Sequence, residues 1–133
     1  TPHPKEFERL IGSSQKLSYD DRLKKGIDFA KKYQIHLVLK GAESAVIQPD
    51  GTYNINSSGN PGMATGGSGD VLTGILLSLL AQRYTCAESA LLGVYLHGLS
   101  GDIALKYESE ESLVASDLYR YLGKAFKTLK ETL

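Results

Sequence analysis

Residues 60–70 read NPGMATGGSGD, and the apolar stretch VLTGILLSLLAQ follows directly at 71–82. The first stretch holds four glycines and a single charged residue, Asp70. Glycine adopts positive φ freely and lets a ligand approach the backbone closely. The apolar stretch predicts a helix over 69–82, whose first N–H groups have no partner inside the helix and can bind an anion. The two stretches together indicate a phosphate site, formed by Gly66, Gly67, Ser68 and Gly69.

Asp70 needs a separate explanation because a carboxylate repels phosphate. A carboxylate at this position is explained if it faces an attacking hydroxyl. Asp70 can then orient the hydroxyl and accept its proton, while backbone amides hold the phosphoryl group that is transferred. The structural alternative is that the glycines form a tight turn and Asp70 caps the helix. A Walker P-loop would need Gly-Lys-Ser/Thr, and a dinucleotide fingerprint would follow the first strand of a βαβ unit. The sequence fits neither of these two motifs.

The sequence before the glycines predicts two helices and three strands. PKEFERLI indicates a proline-led helix that ends near Gly12, and DRLKKGIDFAKKY indicates a second helix capped by Asp20 or Asp21. The predicted strands are 35–40, 44–48 and 52–56. TYNIN at 52–56 alternates in polarity, and the turn PDG joins it to the strand before it as a hairpin.

The sequence after the glycines predicts a helical C-terminal part. Helices are expected over 69–82 and 86–107, then an acidic loop, ESEES, and a last helix from Ser116 to Lys130 with a regular apolar stripe. Helices combined with a few strands indicate an α/β layered fold. Three strands make a thin sheet, so further strands from upstream sequence or from a partner chain are expected.

Composition narrows the classes of function. The chain has 133 residues, enough for one domain, and Lys plus Arg equals Asp plus Glu at 15 each. A nucleic-acid partner is not expected, because such proteins usually carry a basic excess on one face. Neither a membrane-spanning run nor a signal peptide is recognised, so a cytoplasmic location is expected. The first residue is Thr1, which indicates a fragment whose upstream part is missing.

The remaining polar and aromatic residues have plain structural interpretations. Cys86, the single cysteine, is expected to be a buried small hydrophobe. His36 and His97 are expected to be packed or partly exposed. Asp102 is expected to be structural, with a position facing the ligand cleft as the alternative. Four tyrosines are expected to pack in the core of the helical part: Tyr95, Tyr107, Tyr119 and Tyr121. Metal-ligand spacing is absent from the sequence, so a bound structural metal is not expected.

Three segments carry a resemblance to a known family. GMATGGSGDVLTGILLSLLAQ resembles the signature of the NAD(P)H-hydrate dehydratases, which have a ribokinase-like fold. TPHPKEFERL resembles that family's other signature segment, and LKGAESAVIQPDG resembles its nucleotide-side strand and turn. The segments occur in the family's order and span essentially the whole chain. The resemblance implies the C-terminal half of a three-layer α/β/α domain, residues 1–133, with the upstream half outside this chain.

The resemblance also implies an activity and its residues. The family is a group of metabolite-repair lyases that phosphorylate the hydroxyl of hydrated NADH or NADPH with ADP or ATP; loss of phosphate then restores the cofactor. Asp70 matches the base at the substrate hydroxyl, His3 matches a substrate-contacting histidine, and Gly69 matches a nucleotide contact. The strip that lines the adenine nucleotide matches Lys40, Gly41, Ala42, Glu43 and Ser44. Two departures are Lys5, where the family often has Gly, and Ser44, where it often has Thr.

Further expectations concern cofactors, partners and rival functions. Mg²⁺ would arrive with the nucleotide, held mostly by phosphates and water. Relatives commonly form homo-oligomers, often tetramers, and many bacterial ones carry a fused epimerase domain upstream. One rival is a ribokinase-like kinase of the hydroxyethylthiazole, hydroxymethylpyrimidine or pyridoxal type, which would share Asp70 and the glycines but which the TPHP segment disfavours. The other rival is a non-catalytic nucleotide-binding fragment, which the start at Thr1 favours.

Overall fold

The computed structural model describes residues 1–132 of the chain. These residues divide into two compact units, one comprising Thr1–Asn56 and the other beginning at Ser57. The first unit contains two helices and a sheet, and the second is helical. Each unit has its own cluster of buried apolar side chains.

The helices of the first unit are α1 (Pro4–Leu10) and α2 (Tyr19–Tyr33). The proline-led start of α1 is confirmed. The expected cap of α2 is wrong, because Ser18 is the N-cap and its Oγ accepts from the N–H of Asp21 at 3.1 Å. A hydroxyl in this position already satisfies a free N–H of the first turn. Asp20 and Asp21 therefore lie inside the first turn, where the helix dipole favours negative charge.

The sheet of the first unit has three short antiparallel strands in the order β1 (Leu37–Leu39), β2 (Ala45–Ile47) and β3 (Tyr53–Ile55). The predicted hairpin is confirmed. Its turn has Gly51 at φ +89°, a value that favours glycine. Strand β3 does not alternate between buried and exposed residues as predicted, because all three are exposed at the edge of the sheet.

The core of the first unit lies where α1 and α2 meet the sheet. Gly26 of α2 is buried, and a Cβ there would lie 2.6 Å from Cδ1 of Leu39. Helix α2 therefore approaches β1 as closely as it does because this residue has no side chain. The buried residues of this core are Phe7, Ala30, Leu37, Leu39, Ala45 and Ile47.

The second unit begins with an irregular segment and a short 3-10 helix (Pro61–Met63), followed by four helices. These are α3 (Ser68–Ala81), α4 (Cys86–Ala104), α5 (Ala115–Arg120) and α6 (Leu122–Thr132). Helix α4 is the central element because it packs against the other three. Its buried face includes Leu96 and Ile103, which lie in the same cluster as Leu118 of α5 and Ala125 of α6.

The single helix predicted over 116–130 is wrong, because two helices occupy this stretch. Helix α5 begins one residue earlier than predicted, after Val114, whose N–H is bound by the Asp117 carboxylate at 3.1 Å. It ends at Arg120 with Tyr121 as its C-cap, and α6 begins at Leu122. The Tyr121 ring stacks on Tyr107 with centroids 5.3 Å apart, and Nζ of Lys124 lies 4.5 Å from the Tyr107 centroid.

Some burial predictions in the helical unit are also wrong. Cys86 is exposed because it is the first residue of α4, directly after the capping residue Thr85. Tyr119 and Tyr107 are 63% and 61% exposed, whereas Tyr121 is buried. Tyr119 lies on the outer side of the short α5, and Tyr107 follows the end of α4. Within residues 1–132, every helix is too short or too polar to cross a bilayer.

Candidate functional site

The glycine loop, residues 58–69, ends in the turn that starts α3. Gly67 is the N-cap of α3 and has φ +88°, so the turn requires a residue without a side chain. The N–H groups of Gly66, Gly67 and Gly69 have no acceptor within residues 1–132. A Cβ added to Gly66 would meet nothing within 4 Å. The turn therefore presents free backbone donors at the positive end of the α3 dipole, which is suited to an anion.

Asp70 lies at the third position of α3, within one turn of these donors. Its carboxylate is exposed and has no hydrogen bond or ion pair with any residue of the described chain. The alternative that Asp70 caps α3 is wrong, since the N-cap is Gly67 and no side chain bonds to the first N–H groups. The carboxylate is thus free to accept a proton or a hydrogen bond from a bound molecule.

Ser68 connects the end of the glycine loop to α4. Its side chain is buried, and its backbone O lies 3.0 Å from Nε2 of His97. The Ser68 Oγ lies 3.4 Å from the same nitrogen. Because a carbonyl oxygen only accepts, the contact with the Ser68 backbone O is a hydrogen bond in the His97 tautomer that carries a proton on Nε2. His97 is half-buried, as expected, but it also holds the first turn of α3.

The start of the glycine loop is also attached to α4. The Asp102 carboxylate accepts from the N–H of Gly59 at 2.8 Å and from Nδ2 of Asn60 at 3.0 Å. Ser58 donates from Oγ to the backbone O of Tyr95 at 2.8 Å. The structural interpretation of Asp102 is therefore confirmed.

Two glycines of α4 allow the loop to come this close. A Cβ at Gly98 would lie 2.6 Å from the backbone C and O of Ser58. A Cβ at Gly101 would lie 2.8 Å from Cγ of Met63. We call the set His97, Gly98, Gly101 and Asp102 the loop-holding face of α4.

Sequence reasoning did not recognise this face as part of the site, although a signal was present. The four residues occur in HGLSGD, at spacings that place them on one side of a helix. In an otherwise apolar helix, one side combines glycines with a histidine and an aspartate. This pattern indicates that the backbone of another segment lies close to that side of the helix.

In the first unit, His3 is the N-cap of α1. Its Nδ1 accepts from the N–H of Glu6 at 3.2 Å, and the Glu6 carboxylate accepts from the N–H of His3 at 2.7 Å. The latter bond is the main cause that lowers the pKa of Glu6 below its ordinary value of 4.5. The His3 ring remains about half exposed. Its role in substrate binding stays a prediction.

The strip 40–44 joins β1 to β2 in the same unit. The N–H of Lys40 donates to the backbone O of Pro2 at 3.0 Å, which places the strip beside the segment that contains His3. Ser44 Oγ donates to the backbone O of Gly41 at 3.0 Å and accepts from the N–H of Gly41 at 3.2 Å. These two bonds close a tight turn. The two residues between Gly41 and Ser44, which are Ala42 and Glu43, are exposed.

The structure therefore brings the predicted residues together in two groups. Residues 66–70 form one turn of the second unit, and His3 and the strip 40–44 are neighbours in the first. The described residues contain no group of three or more His, Cys, Asp or Glu that could hold a metal ion. An apolar cavity of about 300 Å³ lies among α3, α5 and α6, lined by Val71, Ile75, Leu122 and Phe126 among others, and does not suit a charged ligand.

The chain is similar to proteins that are named for the repair of NAD(P)H hydrate. The bifunctional NAD(P)H-hydrate repair enzyme of Moorella thermoacetica is 44% identical over 131 residues, which are 98% of this chain and 25% of that protein. The ADP-dependent (S)-NAD(P)H-hydrate dehydratase of Bacillus subtilis is 34% identical over 96% of this chain and 46% of its own length. The chain thus spans about a quarter to a half of the length of these relatives.

A crystal structure of the Bacillus subtilis ADP/ATP-dependent NAD(P)H-hydrate dehydratase, co-crystallised with ATP/Mg²⁺, superposes with a TM-score of 0.88 at 34% identity. That superposition covers 96% of this chain and 46% of the solved chain. The fold is therefore the ribokinase-like α/β fold, of which residues 1–132 form a small sheet and six α-helices. The sequence model of the NAD(P)H-hydrate dehydratase family matches residues 1–124. The chain belongs to the NAD(P)H-hydrate dehydratase family.

Proposed function

We propose that this chain is part of an enzyme that repairs hydrated NADH or NADPH with the help of an adenine nucleotide. The observation that carries the proposal is the turn at the start of α3, where free N–H groups of Gly66, Gly67 and Gly69 adjoin the unpartnered Asp70 carboxylate. An anion site beside a free base is what phosphoryl transfer to a hydroxyl needs. Relatives named for this reaction match nearly the whole chain.

The proposed reaction has two steps. Asp70 accepts the proton of the substrate hydroxyl, and the oxygen of that hydroxyl attacks the terminal phosphorus of ADP or ATP. A new P–O bond forms as the bond to the nucleotide's bridging oxygen breaks. The ring then loses phosphate from one carbon and a proton from its neighbour, which restores the C=C bond. Phosphate leaves more readily than hydroxide, and the backbone donors stabilise charge on the phosphoryl group during transfer.

The proposed roles follow the family resemblance residue by residue. Asp70 is the base and contacts the substrate, His3 contacts the substrate, and the residues from Gly66 to Gly69 hold phosphate oxygens. Nucleotide contacts are assigned to Lys40, Gly41, Ala42, Glu43, Ser44 and Gly69. The nucleotide brings its own Mg²⁺, held mostly by phosphates and water.

The proposal extends to the whole protein that carries this chain. It is a cytoplasmic homo-oligomer, with four subunits as the expected number. Residues 1–133 are the C-terminal half of the domain, and a fused epimerase domain is an expectation for the sequence upstream of this chain. Its partners are the hydrated cofactor and ADP or ATP, without a nucleic acid or a membrane.

The test is recovery of NADH absorbance from hydrated NADH by the natural gene product that contains this chain, with ADP and ATP in parallel. Recovery with either nucleotide supports the proposal, and recovery with only one also identifies the phosphate donor. A folded, nucleotide-binding protein that gives no recovery, but phosphorylates a small-molecule alcohol to a stable product, is a ribokinase-like kinase instead. Nucleotide binding without any transfer indicates the non-catalytic alternative.

Asp70→Asn tests the proposed base. The substitution keeps the size of an exposed side chain without a partner, so fold and nucleotide binding should persist while kcat falls about 10²–10⁴-fold. Asp20→Asn is the matched control, because Asp20 is also an exposed carboxylate in the first turn of a helix. Wild-type turnover by the Asp70→Asn protein would contradict the proposed mechanism for any substrate.

A further inference from the structure

The loop-holding face of α4 has no role in the proposed reaction, yet it is bonded to both ends of the glycine loop. At one end Asp102 binds residues 59 and 60, and at the other His97 binds Ser68. The second contact is made to the backbone of the anion site itself.

The peptide bond between Ser68 and Gly69 links His97 to the free donors. A trans peptide unit is planar, so its C=O and its N–H point in opposite directions. The C=O belongs to Ser68 and accepts from Nε2 of His97 at 3.0 Å. The N–H belongs to Gly69 and has no acceptor within residues 1–132. Fixing the carbonyl on His97 therefore fixes the direction in which the Gly69 N–H points.

Burial gives this contact its strength. The Ser68 side chain is buried against α4, and His97 is half-buried. Hydrogen bonds in such surroundings are less exposed to competition from water, and a donor on a carbonyl also polarises the N–H of the same peptide unit. A donor at position 97 should thus both orient the Gly69 N–H and make it a better donor to an anion.

We propose that His97 is a positioning residue of the anion site, which acts by donating from Nε2 to the backbone oxygen of Ser68 so that the Gly69 N–H is directed at a phosphoryl group. This inference rests on the proposed function, because the anion is the nucleotide phosphate of that reaction. His97 does not touch the phosphate. Its effect is transmitted through one peptide unit.

The experiment measures the dissociation constants of ADP and of inorganic phosphate by calorimetry, in the natural protein that contains this chain. His97→Leu removes the donor and should weaken ADP binding about tenfold, the equivalent of one net hydrogen bond. His97→Gln retains an N–H that can reach the Ser68 carbonyl and should restore affinity to within about threefold of wild type. His36→Leu is the control, because His36 lies outside the glycine loop, just before β1.

Two results of the binding measurements would overturn the proposal. One is wild-type ADP and phosphate affinity in a folded His97→Leu protein. The other is an equal loss in the Gln and Leu variants, which would mean that packing and not the donor matters. If His97→Leu fails to fold, nitrogen NMR of the wild-type imidazole decides, since a proton on Nδ1 alone is incompatible with donation from Nε2.

Because the experiment measures ligand affinity, its outcome does not depend on whether the repair reaction is observed. If hydrated NADH is not the substrate, the ADP measurements still report on His97. If repair is observed, the Leu variant should raise KM for the nucleotide, and the Gln variant should lower that KM again. A repair activity that is intact in the Leu variant at low nucleotide concentration would overturn the positioning role and leave the proposed function standing.

Discussion

Two glycines in the helical unit should respond in opposite ways to substitution by alanine. Gly98 of α4 lies against the glycine loop, where an added Cβ would be 2.6 Å from two backbone atoms of Ser58 and would also overlap its side-chain oxygen. Gly74 lies in the middle of α3, where an added Cβ would meet nothing within 4 Å. The two positions share helical backbone and differ in the space available.

The expected magnitudes follow from this difference. Alanine is favoured over glycine inside a helix by about 1 kcal/mol, and Gly74→Ala should gain about that amount. Gly98→Ala gains the same helix propensity but also overpacks the contact with Ser58. Overpacking costs about 1–3 kcal/mol, and we expect the upper end of this range because the Ser58 backbone must move. The net result is a loss of about 2 kcal/mol. The two variants should therefore differ by about 3 kcal/mol, or roughly 10 °C in Tm.

Urea and thermal unfolding of the two variants and the wild type measure these values, with the slope m as a check that the transitions remain comparable. A Gly98→Ala protein as stable as Gly74→Ala would refute the contact between α4 and the loop. A further check is ADP affinity, which should fall in Gly98→Ala, because the start of the loop is displaced, and stay unchanged in Gly74→Ala.

Two other predictions concern helix caps. Ser18→Ala should lower the free energy of unfolding by about 1 kcal/mol, because it removes the oxygen that caps α2. Asp20→Ala should lower the free energy of unfolding by less. Urea unfolding of both variants measures the difference. The pKa values of Glu6 and Glu88 are lowered from 4.5, chiefly by backbone N–H donors at their own caps. The folded state therefore binds protons less readily than the unfolded chain, so this stabilisation is complete above that value and is lost as the pH falls through the lowered pKa. The urea midpoint should fall on acidification below about pH 4.5, and the Glu6→Gln, Glu88→Gln double variant should show a smaller fall.

Local rules in the sequence predicted the elements whose determinants lie close together in the chain. The hairpin turn follows from Asp50 and Gly51, since Asp50 Oδ1 accepts from the N–H of Thr52 at 2.8 Å and Gly51 has positive φ. The start of α3 follows from Gly67 in the same way. Both features need only a few consecutive residues to be recognised, and both agree with the structure to within a residue or two.

Features that depend on distant residues could not be predicted in this way. The apolar stripe from 116 to 130 continues across the break at Tyr121, so periodicity gives one helix where the structure has two. The His97 contact joins residues separated by 29 positions. In the candidate site, the glycines and Asp70 could therefore be located from sequence, whereas the face of α4 that holds them required the tertiary structure.

Cys86 gives the helical unit a convenient reporter position. It is the chain's single cysteine, it is exposed, and it begins α4, eleven residues before His97. At about 1.5 Å per residue, the thiol lies roughly 16 Å along the helix axis from the loop-holding face. Within this chain, a fluorophore or spin label needs no substitution of another cysteine, and the position is far enough from the anion site to leave it intact. Distances measured from that label would show directly whether the glycine loop moves when a nucleotide binds.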